Sequence, residues 1–151
     1  CKTASLIANS SRAAGVLSGC APSELDGLYR FGRQLGLAFQ VVDDILDFTG
    51  SDQQLGKPAA SDLASGYLTA PTFYAMEEQP GLKPLIQREF SGETDLQDAL
   101  AMVRSSRAIE RSRELAETFA RESRESLAWL PDSDCKRALL ELPDFVLSRL
   151  Y

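Results

Sequence analysis

The chain has 151 residues, 44% of them hydrophobic and 25% charged, with a formal net charge of −6 and no histidine. That balance suits one globular unit with a real core, and its acidity argues against a nucleic-acid footprint. The missing histidine removes the usual zinc sites and the commonest general base together.

No apolar run reaches the roughly 20 residues needed to cross a bilayer. The opening "CKTASLIANS" also lacks the basic-then-apolar order of a secretory signal. The chain starts without methionine and inside a helical pattern, so it reads as a fragment. Cys1, Cys20 and Cys135 have no CxxC spacing, and free thiols in a reducing compartment are expected.

The periodicity is helical nearly throughout and predicts a single all-α unit. A first helix is expected over about 1–18, stopping near Gly19 with Pro22 just beyond. A second begins near Ser23, an N-cap with Asp26 three residues on, and runs to about Thr49. Leu25, Leu28, Tyr29, Leu35, Phe39, Val42 and Leu46 give it an apolar face. Aliphatic residues elsewhere leave its last half apolar nearly all round, as in a central helix.

"GSDQQLGKPAASD" follows as a loop. Helices are then expected over about 66–78, 82–90, 94–105 and 106–130. In the last of these Ile109, Leu115, Phe119 and Leu127 face inward, and its Arg and Glu run is a solvated face. A final helix over about 133–151 contains Pro143, which predicts a kink or a split.

The apolar stretch "LAFQVVDDILDF" carries Asp43, Asp44 and Asp47. Buried carboxylates are costly unless paired or bound to a cation. At 100° per residue, Gly36, Gln40, Asp43 and Asp47 share one helix face, with Asp44 on its flank. Gly32 and Gly36 leave the preceding turns bare, so a bulky ligand or another helix can approach the backbone there. The spacing reads as a compact oxygen cluster beside an open groove.

Oxygen-only ligands favour Mg²⁺ or Mn²⁺, and Mg²⁺ takes one or two carboxylates together with substrate phosphates. A polar helix edge with solvated or salt-bridged aspartates is the other reading of so short a pattern. Lys57, held between Gly56 and Pro58, can reach the same anion as a point charge, or can be a surface lysine. Lys2 and Thr3 add little by themselves.

In order and spacing, "KT" at 2–3, "GLAFQVVDDILDF" at 36–48, "GKP" at 56–58 and "SDLASGYLTAP" at 61–71 resemble the trans-isoprenyl diphosphate synthases. The resemblance covers nearly the whole chain. "TAPTFYAMEEQP" and "LPDFVLSRLY" are similar to the long-chain, solanesyl diphosphate synthase-like branch, which makes quinone side chains.

The resemblance implies the C-terminal half of an all-α helical bundle of the isoprenoid synthase type. It also implies a transferase that adds isopentenyl diphosphate units to an allylic diphosphate. Asp43, Asp44 and Asp47 match the second aspartate-rich motif, which holds Mg²⁺ (Mn²⁺ also serves) against the allylic diphosphate, with Asp43 the most direct ligand. Lys2 and Lys57 match diphosphate-binding lysines. Thr3 and Gln40 match catalytic residues at the reacting end of the substrate, and Asp62 a supporting acid. A homodimer in the full-length protein is implied, with a peripheral membrane contact for a long product. The implied location is the cytoplasm, or the plastid stroma of a eukaryote.

Two departures stand out. Tyr67 occupies a position where many members carry a lysine, so one diphosphate contact is not carried over. The first aspartate-rich motif and the isopentenyl diphosphate site are expected upstream of Lys2, and the 151 residues alone are expected to be inactive. A non-catalytic helical subunit of a heteromeric synthase is the alternative, although such subunits commonly lose the aspartates kept here. A class I terpene cyclase fits less well, because its second motif mixes Asn, Ser and Glu.

Overall fold

The computed structural model describes residues 2–50 and 60–151. Its regular elements are all α-helices: α1 (Lys2–Leu17), α2 (Pro22–Thr49), α3 (Ser61–Ala64), α4 (Ala70–Glu78), α5 (Leu82–Gln87), α6 (Asp95–Ser105), α7 (Ala108–Glu125) and α8 (Asp134–Ser148). No strand occurs among the described residues, and no helix among them is long and apolar enough to cross a membrane. Two compact units emerge, Cys1–Val42 with Leu115–Tyr151, and Asp43–Glu114.

In the first unit, α1 and α2 run antiparallel at backbone contact. A Cβ on Gly36 would lie 2.6 Å from the Ala4 Cα, and one on Gly32 2.6 Å from the Ile7 carbonyl oxygen. Only hydrogen fits at either place, which is why α2 carries glycine there despite its cost to a helix. α1 ends as expected: Gly19 takes φ 72°, and the Cys20 N–H reaches back to the Gly15 carbonyl at 3.0 Å.

The start of α2 differs from expectation. Pro22 takes the first helical position, and Glu24, not Asp26, reaches back to the Ala21 N–H at 2.7 Å. Proline needs no partner for its nitrogen there, so the cap forms two residues before the serine.

α7 also departs from the simple pattern. In this unit its buried positions are small, Ala116, Ala120 and Ser123, followed past the helix end by Leu127. The larger Leu115 and Phe119 are only half-buried. Close approach to α2 demands this, and the Ser123 hydroxyl donates to the Phe31 carbonyl at 3.0 Å. α8 passes through Pro143 without interruption, with Pro143 and Val146 buried. It starts at the Ser133 side chain, which accepts the Lys136 N–H. The Arg149 guanidinium lies over the Phe39 ring at 4.7 Å.

The second unit closes around Phe48, Leu63, Leu82, Leu85 and Val103. α4 starts at Ala70, four residues later than expected, with Pro71 in its first turn. α5 stops at Gln87, because Glu89 and Phe90 turn left-handed at φ 55° and 53°. Buried Asp95 accepts two bonds from Arg88 and one from the Gly92 N–H, which fixes the turn beyond. The start of the Arg and Glu run is not merely solvated. Arg111 pairs with Glu77 at 2.7 Å and covers the Tyr74 ring at 4.1 Å. Cys20 and Cys135 are free thiols.

Candidate functional site

Lys2 is exposed at the start of α1, with Thr3 half-buried beside it. The antiparallel pairing of Ala4 with Gly36 and Ala8 with Gly32 sets Lys2 and Thr3 within a turn of half-buried Gln40. The glycine face expected to border an open groove is filled by α1 itself. Of the two approaches that bare glycines allow, a helix has taken the place of a ligand. Lys57 lies outside the described residues.

The three aspartates meet three environments. Asp43 is exposed and Asp44 half-buried, whereas Asp47 is 1% exposed. One Asp47 carboxylate oxygen accepts the Ser61 hydroxyl at 2.9 Å, and the other accepts the Asp62 N–H at 3.1 Å. The Asp47 carbonyl accepts the Ala60 N–H at 2.8 Å, and buried Ala60 is itself left-handed at φ 57°. Asp44 accepts the backbone N–H of Ala70, the first residue of α4, whose preceding Thr69 makes no side-chain cap. Two of the three charges therefore meet backbone N–H groups at the starts of later helices, where unpaired donors and the helix dipole favour an anion.

The C-terminal end of α2 is fastened as well. Arg104 donates twice to the Phe48 carbonyl, at 3.0 and 2.9 Å. That carbonyl belongs to the last turn, which has no partner inside the helix. A cation there also suits the dipole. Periodicity did not single out Ser61, Ala70 or Arg104. Ser61 had one signal, a hydroxyl residue at the end of a loop, and Ala70 had Pro71 beside it; Arg104 had none.

The carboxylates do not form the compact cluster that spacing suggested. Among the described residues no trio of acidic or thiol side chains is gathered closely enough to hold an ion unaided. Each Asp47 oxygen accepts a hydrogen bond, one from the Ser61 hydroxyl and one from the Asp62 N–H. Asp43 and Asp44 precede it on α2 as further oxygen-only donors. Burial pushes the Asp44 carboxyl up to about 6, the charges of Asp62, Asp43 and Asp47 add to this, and the Ala70 N–H opposes it. A carboxylate so disfavoured as an anion gains from a nearby cation. Carboxylate oxygens without histidine or thiolate suit Mg²⁺ or Mn²⁺. The residues present fit such an ion.

Residues 1–103 match the family model described as Polyprenyl synthetase. The chain belongs to that family. It is 55% identical over 150 residues to a prenyl transferase of Synechocystis sp., covering 99% of this chain and 46% of that protein. It is 45% identical to the chloroplastic solanesyl-diphosphate synthase 2 of Oryza sativa subsp. japonica, over 99% of this chain and 37% of that one. Among solved structures, a polyprenyl synthase from Caulobacter crescentus CB15 complexed with calcium and isoprenyl diphosphate superposes with a TM-score of 0.87 at 35% identity. The match covers 99% of this chain and 47% of that one. The fold of this polyprenyl synthetase family member is thus all-α and of the isoprenoid synthase type. The chain spans less than half the length of the curated relatives it matches.

Proposed function

We propose that this chain is the C-terminal part of a single polyprenyl synthase domain, and that it carries the site where the allylic diphosphate ionises. The full-length protein would be a Mg²⁺-dependent prenyltransferase that adds isopentenyl diphosphate to an allylic diphosphate. Its product is a long-chain, solanesyl-like diphosphate for quinone side chains. The acidic end of α2 carries this reading: exposed Asp43 beside half-buried Asp44, with like charges around Asp44, in a member of the polyprenyl synthetase family.

Asp43, Asp44 and Asp47 are the carboxylates that would hold the ion, with exposed Asp43 the most direct ligand. A divalent ion there supplies electrostatic stabilisation to a departing diphosphate. Lys2 and Lys57 add positive charge to that diphosphate. Thr3 and Gln40 turn their dipoles toward the allylic carbon as its bond to oxygen breaks and cationic character develops. The double bond of isopentenyl diphosphate then forms the new carbon–carbon bond and a proton is lost. No histidine base is needed if the released diphosphate accepts that proton. The protein acts as a homodimer, in the cytoplasm or the plastid stroma, with peripheral membrane contact for its long product.

The test is an assay of the full-length protein with labelled isopentenyl diphosphate, an allylic diphosphate and Mg²⁺. Long-chain product that disappears on adding EDTA and returns with Mg²⁺ is expected. No prenyl transfer under these conditions would overturn the proposal.

A further inference from the structure

Helix α1 has two opposed faces free of acid, and the described residues cover only one of them. Ala4, Ala8 and Gly15 are buried against α2. A Cβ on Gly15 would lie 2.5 Å from a Leu28 methyl and 2.8 Å from one of Leu25. At 100° per residue Leu6, Ser10, Ala13 and Leu17 fall on the opposite side, at the i, i+4, i+7, i+11 spacing of a packed helix face. All four are exposed. Leu6 is 70% exposed and Leu17 90%, with Val16 at the edge of the stripe 58%.

Single leucines scattered over a surface mean little, but these are aligned and nothing around them is built for water. Lys2 and Arg12 are the only charged residues of α1. The part of α7 in the same unit shows the contrast: its outward positions are Glu117, Arg121 and Glu125. A helix that meets solvent looks like α7. One that is apolar on opposed sides belongs inside a fold.

Charge and chain length choose among the possible occupants. A second copy laying α1 on α1 brings two more cations and no anion to meet Arg12. A lipid surface favours bulky apolar residues where Asn9 and Ser10 stand. The remainder of the domain has the extent, since the match to the Synechocystis prenyl transferase covers only 46% of that protein, and a domain closes around one core.

We propose that the outward stripe of α1, from Leu6 to Leu17, is the surface on which the part of the full-length protein preceding Lys2 packs, through a helix with its own aliphatic face and an acidic residue beside Arg12. This inference rests on the reading of the chain as the C-terminal part of a single domain, and deepens it by naming where the rest of that domain attaches. The stripe begins one turn from Lys2, so the covering helix also borders the proposed diphosphate site.

The experiment uses the full-length protein made with photo-leucine, a diazirine analogue close to leucine in shape, then irradiated and digested for mass spectrometry. Crosslinks from positions 6 and 17 to peptides upstream of Cys1, in material that runs as a single chain on a denaturing gel, are expected. Ala13→Glu, which would bury a charge under the covering helix, should lower the melting temperature by roughly 5 °C or more, and Ala13→Ser by much less.

Crosslinks from these positions only between two copies, in a band of twice the mass, overturn the proposal in favour of an interface between copies. Adducts formed only when phosphatidylcholine vesicles are added overturn it in favour of a lipid surface. Reaction with water alone at both positions overturns it too, as does an unshifted melting temperature in Ala13→Glu. If calorimetry instead shows the upstream part melting independently of residues 2–151, the single-domain reading itself fails, so the two failures are told apart.

Discussion

The two halves of α2 are held by opposite means. Its glycine half, in the first unit, is held mainly by shape: Gly32 and Gly36 bring the backbone of α1 to contact, and the Ser123 hydroxyl adds one bond to the Phe31 carbonyl. Its acidic half, in the second unit, is held by hydrogen bonds from Ser61, Asp62, Ala60, Ala70 and Arg104. The contrast follows from what each half must do. A half that only supports can be packed tight, because packing tolerates no water and no charge. A half that offers carboxylates must stay partly open, so packing alone does not fix it and hydrogen bonds take over.

That comparison can be broken first on its rigid side. Gly36→Ala places a Cβ 2.6 Å from a backbone atom that cannot move aside, and should cost about 3 kcal/mol. Urea unfolding would read this as a lowered midpoint with an unchanged slope. A loss under about 0.5 kcal/mol would mean the helices are not in backbone contact.

On the bonded side the next largest effect belongs to Asp47→Ala. It strands the half-buried Ser61 hydroxyl and the Asp62 N–H, at about 2 kcal/mol, again by urea unfolding. Asp43→Ala should leave stability within about 0.5 kcal/mol, because Asp43 is exposed. Equal losses at the two positions would erase the distinction between them.

Proton linkage gives a third test. The Asp44 carboxyl is raised from 3.8 to about 6, so folding favours its protonated form. Its contribution is fully present below its unfolded value of 3.8 and is lost as pH rises through about 6. The ion-free protein should therefore gain about 1–2 kcal/mol from this group as pH falls from about 7 to 4, the full shift being discounted for partial exposure. Asp44→Asn should remove that part of the slope, and saturating Mg²⁺ should flatten it by favouring the anion. A slope unchanged in Asp44→Asn would place the titration elsewhere. The smallest effect is that of Arg104→Ala, about 1 kcal/mol, with faster amide exchange in the last turn of α2.

Much of this was legible in the sequence. The order of the longer helices, the stop at Gly19 and the acidic stretch on a central helix follow from periodicity, glycine and aspartate alone, whereas the short α3 lies where no helix was expected. The occupancy of the glycine face was not, because bare backbone invites a ligand and a helix equally, and only Ala4 and Ala8 decide between them. The separate fates of Asp43 and Asp47 were hidden for a related reason. Helical spacing puts both on one face, and the difference comes from Ser61, fourteen residues away from Asp47 through a loop. The small inward face of α7 was obscured by its neighbours, since Leu115 and Phe119 look more core-like than Ala116 and Ala120. Turn chemistry explains the shortened α4 and α5, where Pro71 and the left-handed Glu89 and Phe90 overrode the apolar pattern.

The most direct test of the central claim is kcat for Asp43→Ala in the full-length protein, measured at saturating allylic and isopentenyl diphosphates and Mg²⁺. A collapse of kcat with the unfolding midpoint preserved is the result expected if exposed Asp43 holds the ion against the departing diphosphate. Near-normal turnover would contradict it, and would return the aspartates of α2 to a purely structural role.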